Sequence, residues 1–191
     1  FMERAAFTDA FGFERRVGAS MTYKSGAVIA SGGVFSANTA DLSDDEDAIS
    51  ADARLVYAPL LGASQLHFGG SFHHRDLSGE RTVRYRQRPF LHLTDRRFVA
   101  TPALAIESET SFGAELAVIR GPFHAVGEAH WLTADRTSGE DPTFFGGYVE
   151  AGYFLTGETR GYKAGTFAST KPARSLSQGG AGAFQVNLRY D

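Results

Sequence analysis

The residues with most chemical promise lie in "RTVRYRQRP", 81–89, where Arg84, Arg86 and Arg88 occupy every second position. In an extended segment that spacing aims three guanidinium groups to one side, about 7 Å apart, where they repel one another. A solvated basic strand would tolerate this, and a ladder of anion sites would use it. Arg81 falls on the other face. Three carboxylates, Glu115, Glu128 and Glu150, fall on the polar faces of later strands. They are candidates to salt-bridge the arginine segment and hold it in place; the alternative is that each is separately solvated. No spacing marks any of them as a catalytic acid–base pair.

Histidines at 67, 73 and 74 suggest a metal at first sight, but only His67 and His73 share a strand face, and they lie about 20 Å apart. The acidic run "DLSDDEDA" lacks the glycine and terminal glutamate of a calcium loop. There is no phosphate-binding glycine loop, Gly-x-Ser-x-Gly elbow or His-Glu-x-x-His helix. The residues therefore mark no catalytic site, no metal and no cofactor.

The charges have to be positioned by something, and the composition says what. The chain has 191 residues, a net charge of −3 and no cysteine. One domain over 1–191 is the expectation for that length. There is no basic excess to attract nucleic acid, and disulfides and zinc–thiolate centres are excluded. Helix signals are sparse, while 22 Gly, 16 Phe and 7 Tyr suit strands and turns. No apolar run is long enough for a transmembrane helix, which leaves a membrane barrel open, since its strands alternate.

Period-two alternation runs through the chain. In 49–60 the odd face is Ile49, Ala51, Ala53, Leu55 and Tyr57, against Asp52 and Arg54. In 64–74 Leu66, Phe68, Gly70 and Phe72 oppose Gln65, His67, Ser71 and His73. In 110–119 the apolar face is even. It is odd in 123–133 and 144–155, and even again in 184–190. Residues 16–23 and 26–36 read as strands of weaker phase. A soluble half-buried sheet also alternates. Three details favour a membrane wall: strands of about ten residues, polar faces carrying Glu, Arg, His and Gln, and aromatics near the ends of the apolar faces. A cation on a lipid face at mid-bilayer would cost about 2–4 kcal/mol, and the centres of these faces carry none.

Short connections (24–26, 61–64, 120–122) alternate with long polar ones (37–48, 135–143), as periplasmic turns and external loops do. For 120–122 to stay on the short-turn side, 75–109 must hold no complete extra wall strand. The stretch 75–103 is then expected to be an external excursion folded inward. The same parity puts 157–181 on the periplasmic side, long for such a turn, with Lys163, Lys171 and Arg174 giving it basic character. The start "FMERAAF" and the stop in mid-pattern at "FQVNLRYD" lead us to expect an internal piece of a longer protein that does not fold alone, since an open half-barrel leaves two unpaired edges.

Several stretches carry a family resemblance: "FMERAAFTDAF…RRVGASMTY" with "GGVFSAN", then "RYRQRP", "GPFHAVGEAHW", and most specifically "GGYVEAGYFLTGETRGYK" followed by "FQVNLRYD". Over nearly the whole chain the sequence resembles the phosphate-selective porins, the porin O and P family. The resemblance implies an all-β fold, an antiparallel transmembrane β-barrel of sixteen strands, of which this chain would supply about half. It implies a homotrimer in the bacterial outer membrane, in contact with its lipid, passing small anions such as phosphate without covalent chemistry. Arg84, Arg86 and Arg88 inherit an anion-guiding role by resemblance, and Arg96, Arg97 and Lys163 could extend the basic path. Phe90 stands where family members often carry an acidic residue, a departure that bears on selectivity. Three other readings remain: a general non-selective porin, an outer-membrane barrel hydrolase, and a soluble ligand-binding β-barrel.

Overall fold

Alternation of this kind sends side chains to opposite faces of a sheet, and the strands use it to build a wall with two unlike faces. In the computed structural model the described residues are 5–11, 16–38, 48–87, 96–97 and 99–191. A short helix, α1 (Ala6–Ala10), precedes the sheet. The strands are β1 (Arg16–Ser25), β2 (Val28–Asn38), β3 (Ile49–Tyr57), β4 (Leu60–Leu61), β5 (Ser64–Val83), β6 (Arg86–Gln87), β7 (Val99–Ala100), β8 (Leu104–Arg120), β9 (Phe123–Arg136), β10 (Thr143–Phe154), β11 (Gly161–Lys163), β12 (Thr166–Ala168) and β13 (Gln185–Tyr190). The main sheet is an antiparallel meander, β1-β2-β3-β5-β8-β9-β10-β13, with β4 beside β5. It is open at β1 and β13, so the described residues form a wall and not a closed barrel.

Three two-residue turns at one end join β1 to β2, β4 to β5 and β8 to β9. Each opens with a glycine at positive φ: Gly26 (57°), Gly62 (60°) and Gly121 (55°). Glycine reaches that left-handed region without steric cost, and the backbone twist there matches that of the flanking strands.

The register carries the predicted faces across the sheet. Ala53, Phe72, Phe112, Trp131 and Phe145 form one row on the outer face. Tyr57, Phe68, Leu116, Gly127, Val149 and Tyr190 form another. Large apolar side chains in both rows are exposed, Leu116 to 59% and Val149 to 61%. A face this apolar and unburied is the reverse of a soluble surface. It suits a wall whose other solvent is lipid. Phe123 and Trp131 are eight residues apart on β9. That is about 27 Å along the strand and about 20 Å at barrel tilt, close to the apolar band of membrane barrels. Beyond the Trp131 row the outer face turns polar. His74, Thr110, Thr133 and Thr143 are in register, with His74–Thr110 and Thr133–Thr143 side-chain hydrogen bonds of 2.9 Å each.

The far end of β5 differs from the alternation-based expectation. β5 does not stop near residue 74. It runs to Val83, paired with β8 throughout except at a bulge between Asp76 and Arg81. There Asp76 Oδ1 accepts the Ser78 N–H at 2.8 Å, and Ser78 and Gly79 take positive φ. This local side-chain turn interrupts the pattern without ending the strand. The excursion between the paired strands β5 and β8 thus covers 84–103, within the 75–103 expected. β5 and β8 are direct neighbours, with no wall strand between them. The 157–181 connection contains the β11–β12 hairpin and a 3-10 turn at Leu176–Gln178.

The buried apolar cluster lies on the inner face, toward the end away from the tight turns. Phe7 and Phe11 of α1 and its flank pack with Leu77, Tyr85, Leu104, Ile106, Leu132 and Ala134. Gly146 makes room for this packing, since a Cβ there would lie 2.4 Å from Phe7 Cβ. Phe7 stacks on His130, with ring centroids 4.5 Å apart.

Candidate functional site

The inner face is organised in tiers, each set by strand parity. Within the apolar cluster, Tyr85 is only 4% exposed, and its ring lies 4.9 Å from that of Phe144. Its hydroxyl donates to Glu109 Oε2 at 2.7 Å, while Arg75 Nη2 holds Glu109 Oε1 at 2.9 Å. Both carboxylate oxygens are therefore occupied, which a side chain buried to this degree needs. Burial first, and the Glu109 charge second, push the Tyr85 phenol well above the ordinary tyrosine range. The Thr101 N–H donates to the Tyr85 carbonyl at 2.9 Å, and β6 pairs with β7 to close the excursion's base.

Arg84 and Arg86 flank this anchor and are both exposed. An extended segment turns alternate residues to opposite sides, so the side that docks Tyr85 is the side the arginines leave. Arg88 and Phe90 lie outside the described residues, as does the acidic run over 41–47. Arg96 is exposed and Arg97 partly buried.

The next tier is ionic. Arg16 Nη2 bridges Asp52 Oδ2 at 2.7 Å, and the other Asp52 oxygen meets His73 Nδ1. Arg54 grips Glu115 with two donors, Nε to Oε1 at 2.7 Å and Nη2 to Oε2 at 2.5 Å. This fork geometry belongs to arginine and gives the stronger class of ion pair. Between these two arginines the inner face forms an open hollow of about 430 Å³, lined also by Ser20, Thr22, Ser31 and Ser71.

The lowest tier is the β11–β12 hairpin, which lies against the inner face instead of hanging clear of it. Tyr162 hydroxyl meets His67 Nδ1 at 2.6 Å, and His67 Nε2 meets Glu115 Oε2 at 3.1 Å. Glu115 is acceptor-only when ionised, so in the neutral ring Nε2 carries the hydrogen and Nδ1 accepts from the phenol. Arg54 Nη2 also donates to the Gly165 carbonyl at 3.0 Å. Burial raises the pKa of Tyr162; nearby Arg54 opposes this and Glu115 adds to it. Lys163, at the hairpin's end, is exposed.

The three expected supporting glutamates are on the inner face, and the neighbours described for them are wall residues. Glu115 pairs with Arg54 of the wall. Glu128 stands opposite Glu115 on one side and Tyr148 on the other. Glu150 is in register with Arg189. Among the described residues, Glu109 is a carboxylate that the segment reaches, through Tyr85. The odd-numbered polar face of 110–119, extended one step upstream, passes through Glu109, so parity could have found it. Nothing local marks the contact with Tyr85. Among the described residues no cluster of three or more His, Cys, Asp or Glu could hold a metal, and no helix is long and apolar enough to cross a membrane.

The chain is 47% identical over 202 residues to an "Uncharacterized protein" of Caulobacter vibrioides, covering 100% of this chain and 41% of that one. It is 32% identical over 199 residues to Porin O of Pseudomonas aeruginosa, covering 91% of this chain and 42% of that one. It therefore spans about two fifths of the length of these relatives. The family described as "Phosphate-selective porin O and P" matches residues 1–191. An antiparallel wall with an apolar outer face and a charged, ion-paired inner face is what a pore-forming barrel requires, and this chain belongs to the phosphate-selective porin O and P family.

Proposed function

We propose that this chain is a wall section of an outer-membrane porin, a homotrimer that passes small anions such as phosphate passively along Arg84, Arg86 and Arg88. Arg96, Arg97 and Lys163 extend the basic path. The observation that carries this reading is the alternation around Tyr85: the buried phenol is tied to Glu109, and the two neighbouring arginines are exposed. A guanidinium stays charged at any working pH and offers phosphate oxygens a planar pair of donors. Several moderate sites in series let an ion enter and still leave. Mutual repulsion among the cations is relieved each time an anion sits between them.

The full-length protein in planar bilayers tests this. The reversal potential in a chloride gradient is expected to report anion selectivity, and added phosphate is expected to block chloride current. Replacing Arg84, Arg86 and Arg88 with Ala should abolish both. Cation selectivity of the wild type, or anion selectivity unchanged in the triple variant, would refute the ladder. Anion selectivity without phosphate block would instead indicate a general porin.

A further inference from the structure

The β11–β12 hairpin is too small to hold its own place. Three residue pairs, from Gly161–Ala168 to Lys163–Thr166, join across a two-residue turn at Ala164 and Gly165. An isolated two-stranded hairpin is marginal in water, so its position comes from docking. The contacts reach four strands of the wall. Gly165 lies against Ile29 of β2 and Val56 of β3, where a Cβ would be 3.1 Å and 3.6 Å from their side chains. Tyr162 binds His67 of β5. Phe167 meets His124 of β9 with centroids 6.1 Å apart, and Arg160 lies over the Phe167 ring at 5.4 Å. From β2 to β9 is four strand spacings, about 19 Å. The hairpin is thus a strap across the inner face. Arg54 and His67 each sit three residues from the turn-side end of their strand, about 10 Å in.

We propose that Arg54 and Tyr162 are positioning residues that latch this strap as a fixed constriction at the turn-side end of the pore and set Lys163 in the anion path. The proposal rests on the porin reading above. Arg54 suits the task because its fork serves two acceptors at once, Glu115 and the Gly165 carbonyl. It thereby ties strap to wall through a pair the wall already needs. Tyr162 adds a second tie through His67, whose other nitrogen binds the same Glu115. Glu115 is the common node.

The test uses the full-length protein with Lys163→Cys, and the same protein without this substitution, given the same treatment, is the control; residues 1–191 carry no cysteine. A bulky anionic thiol reagent, 2-sulfonatoethyl methanethiosulfonate, is added in planar bilayers, and reversal potential is recorded on the same channels. With the latch intact, modification should cut single-channel conductance roughly twofold, since the site is a constriction. In Arg54→Lys/Tyr162→Phe the charge opposite Glu115 is kept and the ties to the strap are lost. There the unmodified conductance should rise and the reagent should have little effect. Tyr162→Phe alone, which leaves the wall untouched, should lie between and serves if the double variant folds poorly. An anion-selective channel that ignores the reagent at position 163, or is blocked equally with and without the latch, overturns the latch while leaving the porin reading standing. A channel without anion preference overturns both.

Discussion

Tyr85 donates its phenol hydrogen to Glu109 across 2.7 Å, and this one bond ties the excursion that carries the arginines to the wall strand β8. Glu109 is 1% exposed and shares its second oxygen with Arg75. The arginines on either side are held by a residue that is itself uncharged.

Tyr85→Phe keeps the ring against Phe144 and removes only the hydroxyl. Leaving one buried carboxylate oxygen without its donor costs about 1–3 kcal/mol, so the detached excursion becomes roughly 5- to 150-fold more populated. Trypsin cleavage at Arg84 and Arg86 in the folded full-length protein should accelerate by that factor, with the wall strands still protected. An unchanged cleavage rate would show that the bond does not hold the excursion.

The same bond has a pH limit of defined sign. The folded-state pKa of Tyr85 is raised above its unfolded value, by burial first and Glu109 second. A group raised in this way contributes stability that is complete below the unfolded value, near 10. That stability is lost as pH climbs from there toward the folded value. Subtracting a Tyr85→Phe titration at 295 nm from that of the wild type should give one tyrosine still neutral when ordinary tyrosines have ionised. A difference step at the ordinary position would contradict the buried anchor.

Leu116 stands mid-height on the outer face, 59% exposed. On a soluble protein Leu116→Arg would be nearly neutral. Against lipid it should cost about 2–4 kcal/mol. Urea unfolding of the full-length protein in lipid vesicles measures the difference, and a neutral result would favour a soluble barrel.

Gly146 carries no side chain where Phe7 crosses the inner face. Gly146→Val must displace Phe7, because even a Cβ would come within 2.4 Å of Phe7 Cβ. Overpacking of this kind costs about 1–3 kcal/mol. The expected outcome is faster proteolysis of α1 and reduced near-ultraviolet dichroism, with far-ultraviolet strand signal retained. Retention of both α1 protection and the near-ultraviolet signal would mean that α1 does not depend on this contact.

Period-two alternation is a local property, and it sufficed to assign the inner and outer faces of β3, β5, β8, β9, β10 and β13, because each residue's face follows from its neighbours on the same strand. It placed Arg84 and Arg86 on one side of their segment, and the connection lengths put the tight turns at a common end. It did not show that β5 continues through a bulge to Val83, because the Asp76–Ser78 turn breaks the pattern there. Nor could it pair Arg54 with Glu115, 61 residues away, or Tyr162 with His67, 95 residues away. Those contacts depend on strand register and on how a marginal hairpin docks. Alternation says which way a side chain points, and only the folded sheet decides what it meets.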